Sequence, residues 1–240
     1  MLKKIVPYSI RLRYRLLKRW LNDVRTGAIF CFAKAKKTDF YIENNFKISV
    51  EQPILYTPQS AAKTTNISIA AAKINEIVIQ PNEIFSFWQI VEQATAARGY
   101  QKGRNLIDGK LVEDTGGGLC QLASILYHTA LLAGLEIVER YPHSIDIYKN
   151  DSERFTPLGA DATVVFGFKD LRLKNIYNYN LYFDIIIKNN VLICTLYSKQ
   201  NIISKNILFK KYNVVNNYIK VETLVTGISV ATSEYLVLSE

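Results

Sequence analysis

The stretch TGGGLCQLASILYHTALLAG, residues 115–134, decides the fold. Its apolar side chains recur at helical spacing from Leu122 to Leu132, which is typical of a helix that is buried in a core. Glycine adopts backbone angles that are closed to other residues, so the glycine run predicts a tight turn before the helix and Gly134 predicts its end. We therefore expect a central helix that begins near Cys120, directly after a glycine-rich turn.

A second helix is predicted upstream. Apolar side chains keep helical spacing from Asn66 to about Val78, with Thr65 or Asn66 as the candidate N-cap and Pro81 as the residue that ends the helix. Residues 38–63 contain two prolines, and we expect them to form an irregular connecting segment.

The C-terminal half has a strand-like sequence. The run 162–166 is β-branched and aromatic, and the segments 182–188 and 191–197 flank Asn189-Asn190, a pair that is typical of two-residue hairpin turns. These patterns predict an α+β fold, with one domain over residues 64–200 whose C-terminal half is mostly antiparallel β. Residues 201–240 are a C-terminal extension whose structure the sequence leaves open.

The charge of the chain is concentrated at one end. The 240 residues carry a formal net charge of +9, which at first suggests a nucleic-acid binder because lysine and arginine neutralise phosphates in such complexes. However, residues 1–37 hold eleven basic side chains and one acidic side chain, Asp23, whereas the rest of the chain holds 19 basic and 20 acidic ones. The folded part is therefore close to neutral, and nucleic acid is not a favoured partner.

Residues 1–37 form a basic arm with helical periodicity. Most of its arginines and lysines fall between apolar side chains that recur every three or four positions, as in an amphipathic helix. These apolar residues are Ile5, Tyr8, Leu12, Leu16, Trp20 and Val24. Such a helix can lie on an anionic membrane surface or on an acidic protein, or it can pack on its own domain with a solvated basic face. The sequence leaves both interpretations open.

Neither an export signal nor a transmembrane helix is predicted. The longest apolar run near the N-terminus, residues 28–33, is far shorter than the roughly 18–20 residues that span a bilayer, and lysines follow it. We expect a cytoplasmic protein, or one that is peripheral at the inner face of the membrane. The three cysteines cannot form a closed disulfide set, and no clustered His/Cys pattern suggests a metal; no cofactor is expected either.

Cys120 is the candidate nucleophile. A cysteine in the first turn of a helix lies at the positive end of the helix dipole, which favours the thiolate, the nucleophilic form. Backbone N–H groups freed by the glycine turn can hold the oxyanion of an acyl-transfer reaction. The alternative is a small buried cysteine beside that turn. Cys31 and Cys194 lie in apolar runs, and we expect them to be inert core residues.

A cysteine nucleophile needs a base, and the sequence contains two histidines. His128 lies eight positions after Cys120, about 12 Å further along the helix axis, which is too far for direct contact. We expect it to be a packing residue. His143 follows the helix and is the candidate base. Asp146 and Asp161 are both candidates for orienting its imidazole, and Asp161, at the expected start of a strand, is preferred.

An ordered set of short motifs closely resembles the VanW family. The motifs lie between about residues 64 and 200, and their order is more specific than any one of them. They are Pro81-Asn82-Glu83-Ile84-Phe85-Ser86-Phe87, Arg98-Gly99-Tyr100, Gly116-Gly117-Gly118-Leu119-Cys120-Gln121, Glu139-Arg140 with His143-Ser144, Gly159-Ala160-Asp161-Ala162-Thr163, and Asp170-Leu171-Arg172. The basic arm is similar to that of the short family members found with B-type vancomycin-resistance clusters.

The resemblance implies a role in peptidoglycan metabolism or glycopeptide resistance. Exported members of the family have been linked to L,D-transpeptidation through a cysteine, which implies a cysteine acyltransferase that acts on a stem peptide or its precursor. Cys120 would be the nucleophile, His143 its base and Asp161 the acid that orients the base. The residues expected to bind substrate are Gly116, Gly117, Gly118, Gln121, Ser144, Asp146 and Arg172.

The chain departs from what the resemblance implies in two respects: no export signal is predicted, although cross-linking occurs outside the cell, and one position of the cysteine motif differs. Members of the family commonly have Ser and Thr after the Cys-Gln-apolar triplet, and this chain has Ala123 and Ser124, so a hydroxyl role at the first position is missing.

Two other functions stay open. One is a non-catalytic module that binds the precursor in the same cleft, and the other is a membrane-surface scaffold that acts through the arm.

Overall fold

The computed structural model describes residues 6–37, 46–55, 58–107, 110–146, 148, 153–212 and 217–237, without the side chains of residues 104–113. The helices in this part of the chain are α1 (Tyr8–Arg25), α2 (Ser60–Asn75), α3 (Phe87–Val91) and α4 (Leu119–Ala133). The strands are β1 (Phe46–Pro53), β2 (Ile84–Ser86), β3 (Lys102–Ile107), β4 (Lys110–Thr115), β5 (Glu136–Glu139), β6 (Ile145–Asp146), β7 (Arg172–Lys174), β8 (Leu181–Lys188), β9 (Val191–Ser198), β10 (Ile207–Lys211), β11 (Tyr218–Val225) and β12 (Ile228–Val237). Helices together with mainly antiparallel sheets confirm the predicted α+β fold.

Helix α4 is the centre of the hydrophobic core. Leu122, Ile125 and Leu126 are inaccessible to solvent, and the helix packs on β1 and β9 on one side and contacts α2 on another. Gly134 ends the helix in the left-handed conformation, with φ of 69°, and the amide after it donates to the carbonyl of Ala130. The prediction for this helix is confirmed.

Strands β1, β9 and β8 form an antiparallel sheet in that order. The turn between β8 and β9 is the predicted Asn189-Asn190 pair, with φ of 51° and 59°. The prediction of an irregular segment over residues 38–63 was wrong for residues 46–53, which form β1. Its buried positions alternate, but the third of them is Gln52, which hides the strand pattern. Residues 38–45 and 56–57 lie outside the described part of the chain.

Helix α2 begins earlier than predicted and ends well before Pro81. Its first turns contain alanine, lysine and threonine without large apolar side chains, so the helical pattern becomes visible only at Ile67. Thr65 and Asn66 therefore lie in the middle of the helix, and neither is its N-cap. Asn66 is fully buried there.

Strands β2, β7 and β5 form a second antiparallel sheet. The run 162–166, which precedes β7 and was predicted to be a strand, is not one. Helix α4 and a neighbouring loop bind its backbone instead: Ser124 Oγ contacts both the N–H and the C=O of Ala162, and the Thr163 amide donates to the Tyr141 carbonyl. The segment is thus held against the first turns of α4.

The C-terminal extension contains a three-stranded antiparallel meander, β10 to β12. Strand β12 also pairs in parallel with β6, so that Leu236 lies opposite Ile145. Tyr235, next to this pairing, is fully buried. The extension is therefore packed beside the loop that carries His143.

Helix α1 packs on the domain through one face. The buried carboxylate of Asp23 accepts hydrogen bonds from both terminal nitrogens of Arg172, at 2.6 and 2.9 Å, and Arg19 forms a two-point pair with Glu139, at 2.8 and 2.7 Å. Packing on its own domain, one of the two interpretations of the arm, therefore holds for this face. No helix in the described residues is long and apolar enough to cross a membrane.

Candidate active site

The glycine turn fits closely against α2. Gly118 has a φ of 100°, and a Cβ on it would lie 2.7 Å from Lys63 Cγ and 3.2 Å from Ile67 Cγ1. Both the backbone angle and the contact exclude larger residues. Helix α4 starts at the next residue, which makes Cys120 the second residue of the helix.

Asn66 holds the turn from the middle of α2. Its Nδ2 donates to the carbonyls of Gln101 and Gly117, each at 3.0 Å, and its Oδ1 accepts from the Gln101 amide at 2.7 Å. Every bond of this buried amide is thus made to backbone that surrounds the turn. An asparagine at the visible start of a helical pattern favours an N-cap, which is why the sequence predicts Thr65 or Asn66 for that role.

Cys120 is half-buried, and its sulfur contacts two groups. The side chain of His143 interacts with the thiol, and the sulfur lies 3.8 Å from the Val164 carbonyl oxygen. Burial acts to raise the pKa of the thiol, but the interaction with His143 and its charge outweigh burial, so the pKa is lowered. In contrast, burial raises the pKa of Cys194 to about 12. The thiols of Cys120 and Cys194 are thus shifted in opposite directions, and that of Cys120 is shifted towards the nucleophilic form.

Asp161 holds His143 from the other side. Its Oδ2 accepts hydrogen bonds from the backbone N–H and from Nδ1–H of His143, each at 2.7 Å, which leaves the other ring nitrogen for Cys120. Burial acts to lower the pKa of His143, but Asp161 and Cys120 raise it to about 10. The pKa of Asp161 lies well below its ordinary value, because His143 and Arg140 outweigh the effect of burial. The geometry therefore favours a thiolate–imidazolium pair.

Arg140 and Tyr235 brace the carboxylate. Asp161 Oδ1 accepts from Arg140 Nη2 at 2.9 Å and from the Tyr235 hydroxyl at 2.5 Å. The guanidinium also lies over the ring of Tyr127, 4.8 Å from its centroid. Neither role is predicted from the sequence. Arg140 stands in one of the motifs, so a signal for it existed, whereas Tyr235 is 74 residues away from Asp161 and gave none.

A cavity of about 400 Å³ opens beside the sulfur. It is lined mainly by apolar and small side chains, with Cys120 and Thr163 among its walls. Thr163 is 6% exposed, and its hydroxyl has no hydrogen-bond partner among the described residues. Within the same residues, the backbone N–H of Cys120 also has no acceptor, as expected of an amide in the first turn of a helix. Two unused donors thus lie beside the nucleophile.

The comparisons with known proteins agree with the motifs. The family model described as VanW like protein matches residues 62–197. The chain belongs to the VanW family. It is 36% identical over 150 residues to YoaR of Bacillus subtilis (strain 168), an uncharacterized protein, in a match that covers 62% of this chain and 48% of YoaR. It is 34% identical over 113 residues to the vancomycin B-type resistance protein VanW of Enterococcus faecalis (strain ATCC 700802 / V583), covering 47% of this chain and 41% of that protein.

The chain spans less than half the length of these two curated relatives. No solved structure matches it. The part that matches the VanW family model contains Cys120, His143, Asp161 and Arg140, whereas α1 and Tyr235 lie outside it.

The other predicted site residues of this VanW-family chain are placed in different surroundings. Gly116 lines the cavity. The Gly117 carbonyl accepts from Asn66 Nδ2, and the Gly118 carbonyl accepts from the amides of Gln121 and Leu122. Gln121 is buried, and its Nε2 donates to the Pro53 carbonyl at 2.9 Å, which links α4 to β1.

Three predicted residues lie away from the cavity. Ser144 is exposed, and its carbonyl accepts from the amide of Leu236. The carboxylate of Asp146 pairs with Arg154, so Asp161 is the candidate acid that contacts His143. Arg172 belongs to the ion pairs that hold α1.

His128 packs against the ring of Phe209, with ring centroids 6.0 Å apart, and burial lowers its pKa. The described residues contain no group of three or more His, Cys, Asp or Glu side chains that could hold a metal ion.

Proposed function

We propose that this VanW-family protein is a cysteine acyltransferase of the L,D-transpeptidase type that acts on a peptidoglycan stem peptide or its precursor. The contact chain from Cys120 through His143 to Asp161, beside a cavity, carries the proposal. A cell-wall substrate is supported by the relative from Enterococcus faecalis, which is named for vancomycin resistance.

The first half-reaction forms an acyl-enzyme. The Cys120 thiolate attacks the carbonyl carbon of an amide between an L-centre and D-alanine, and the electron pair of the C=O bond moves onto oxygen. When the oxyanion collapses, the C–N bond breaks and the imidazolium of His143 gives its proton to the departing amine of D-alanine. The products are a Cys120 thioester, free D-alanine and a neutral His143.

We expect two donors to hold the oxyanion. The Cys120 amide lies on the nucleophile's own residue, and the Thr163 hydroxyl lies in the same cavity wall; both lack partners among the described residues. Removal of one such donor from a hydrolase costs about 10²–10³ in rate. This role for Thr163 is not predicted from the sequence, although Thr163 is the last residue of one of the quoted motifs.

The second half-reaction transfers the acyl group. An amine of a second stem attacks the thioester, His143 takes its proton, and the C–S bond breaks to restore the thiolate–imidazolium pair. The cavity, at about 400 Å³, lies within the range of about 300–1,000 Å³ that is typical of small-ligand sites. Its walls include Trp88 and Phe166, which can cover the peptide and limit attack by water.

Mass spectrometry of the intact protein tests the proposal. The protein is incubated with a synthetic stem tetrapeptide that ends in D-alanine, without an acceptor amine. We expect an adduct with the mass of the peptide minus D-alanine, located on Cys120. Cys120→Ala should form no adduct, and Cys31→Ala, at a half-buried cysteine outside the cavity, should form it normally. A peptide that binds without any adduct or release of D-alanine would favour the non-catalytic module.

Thiol labelling tests the same site without a substrate. We expect iodoacetamide to alkylate Cys120 faster than Cys31 or Cys194 in the folded protein, because His143 lowers the pKa of the Cys120 thiol. Equal labelling of the three cysteines would contradict an activated thiolate.

A further inference from the structure

Helix α1 carries a second apolar surface on the side that faces away from the domain. Leu12 and Leu16, part of the predicted stripe, pack against Gly167, while Arg19 and Asp23 on the same face make the ion pairs. The opposite side, which we call the outer stripe, consists of Ile10, Tyr14, Leu17, Leu21 and Val24. These spacings of four and three place all five side chains on one face of the helix.

The outer stripe is solvent-exposed. The exposed fractions are 57% for Ile10, 63% for Tyr14, 55% for Leu17, 53% for Leu21 and 42% for Val24. Phe30, in the short 3₁₀ helix after α1, is 88% exposed. Contiguous apolar surface of this kind is uncommon on a soluble monomer and marks an interaction site.

Basic side chains flank the outer stripe on both edges. At about 100° per residue, Arg13 lies along one edge, and Lys18 and Arg25 lie along the other. All three are exposed. The single acidic residue of α1, Asp23, is buried against Arg172 and leaves the outer side without negative charge.

We propose that the outer stripe docks on an anionic lipid surface. A helix that lies in the interface buries its apolar face at the boundary of headgroups and acyl chains, and its basic edges meet the anionic headgroups. A second copy of the chain fits less well. A two-fold contact between two outer stripes would bring Arg13, Lys18 and Arg25 near the same residues of the other copy, with no acidic side chain of α1 to offset them.

Docking would also fix the position of the cavity. Tyr8, in the first turn of α1, lines the cavity that contains Cys120, and the pairs of Arg19 and Asp23 fix the helix on the domain. A membrane contact through the outer stripe therefore holds this cavity at a constant distance from the interface. This placement rests on the proposed function, whereas the docking itself does not.

Vesicle flotation with the full chain tests the docking. The probes are vesicles of phosphatidylcholine alone and vesicles of equal parts phosphatidylcholine and phosphatidylglycerol. We expect binding to the mixed vesicles, little binding to the neutral ones, and weaker binding as salt rises. Leu17→Glu combined with Leu21→Glu should lower the partition coefficient by about tenfold or more, because two apolar contacts are replaced by like charge.

A matched control separates the outer stripe from general effects of charge. Ile203→Glu combined with Ile228→Glu adds the same charge at two exposed apolar positions outside α1, so binding should persist. Cys120→Ser should also bind as the parent does, which keeps this test independent of catalysis. All these positions except Cys120 are solvent-exposed, and near-UV circular dichroism confirms that each variant is folded.

Three results would overturn the proposal. The first is absence of binding to the mixed vesicles, or equal loss in the Leu17/Leu21 variant and its control. The second is a concentration-dependent dimer in analytical ultracentrifugation that the Leu17/Leu21 variant abolishes while vesicle binding is absent, which would assign the outer stripe to a second copy. The third is displacement of the protein from the mixed vesicles by soluble polyglutamate at an equal concentration of negative charge. That result would assign the outer stripe to an acidic polypeptide.

Discussion

Two buried clusters of charged side chains differ in what their protons can do. The His143 cluster joins His143, Asp161, Arg140 and Tyr235 beside Cys120. The Arg172 cluster joins Arg172, Asp23, Asp170, Arg19 and Glu139. Both use carboxylates bound by arginine, and both draw residues from the quoted motifs.

The difference lies in the cation. Arginine stays protonated at every pH at which proteins fold, so the arginines of the Arg172 cluster bind their carboxylates but cannot exchange protons with them. These ion pairs hold α1 on the domain. Histidine can release its proton, and His143 lies between a carboxylate and a thiol at a cavity. Motif residues therefore include both residues that stabilise the fold and residues suited to proton transfer. The two kinds differ in whether the cation of the cluster can release a proton at the pH at which the protein is folded.

The largest expected effect is the separation of the two histidines by charge. His143, with its pKa raised to about 10, should be an imidazolium at neutral pH, and His128, with its pKa lowered by burial, should be neutral. Ring ¹⁵N chemical shifts in an NMR titration measure both. We expect one histidine to lose its proton below the ordinary range and the other near pH 10. Two histidines that titrate together would remove the distinction between the clusters.

Arg172→Ala should destabilise the fold by about 3–5 kcal/mol, because Asp23 would stay buried without its cation and Asp170 would keep only its longer contact with Arg19. Urea unfolding measures the change. Arg98→Ala is the control: its pair with Glu92 is exposed, and its loss should cost about 1 kcal/mol or less. A similar small cost at both positions would show that the Arg172 cluster is not a fastener.

His143→Ala should slow alkylation of Cys120 at pH 7 by about tenfold or more, because loss of the imidazolium raises the pKa of the thiol and reduces the thiolate fraction. The downward direction of the Cys120 pKa shift predicts the pH profile of the alkylation rate. In the parent, the rate should persist as pH falls until the lowered pKa of Cys120 is reached; in the variant, it should already decline below the ordinary thiol range. His128→Ala should leave the profile unchanged, and an equal shift there would point to a general loss of structure.

Tyr235→Phe should have the smallest effect. It removes one of the hydrogen bonds to Asp161 and should lower the free energy of unfolding by about 1–2 kcal/mol. The alkylation rate of Cys120 should change little, because the bonds between Asp161 and His143 remain. Tyr197→Phe, whose ring stacks on Tyr182, is the control. Unchanged stability in Tyr235→Phe would mean that β12 does not brace the carboxylate.

The sequence predicts those parts of the molecule whose structure depends on residues that are close to one another along the chain. Helix α4, its end at Gly134 and the Asn189-Asn190 turn follow from local periodicity and backbone preference, and they are confirmed. Strand β1 was missed because Gln52 is buried within it. The 162–166 run was predicted to be a strand because it is β-branched and aromatic, but Ala162 bonds to the Ser124 side chain of α4 and Thr163 bonds to the Tyr141 carbonyl instead of a neighbouring strand.

The site divides in the same way. Cys120 and His143 stand in motifs that are visible in the sequence. Both Asp146 and Asp161 were candidates for orienting His143, and the structure shows that Asp161 is the one that contacts it. Tyr235 and the double role of α1 depend on contacts across 74 or more residues, for which a single sequence holds no signal. Asn66 was visible but ambiguous, because an asparagine that caps a helix and one that clamps a turn use the same amide.

The pairing of β12 with β6 sets an order of assembly. A ribosome makes Cys120, His143 and Asp161 long before Tyr235, and the carboxylate receives its last hydrogen bond only when β12 reaches β6. The nascent chain therefore contains Cys120, His143 and Asp161 before the Tyr235 hydroxyl can reach the carboxylate. The Asp161 carboxylate is thus fully hydrogen-bonded only after β12 has paired with β6.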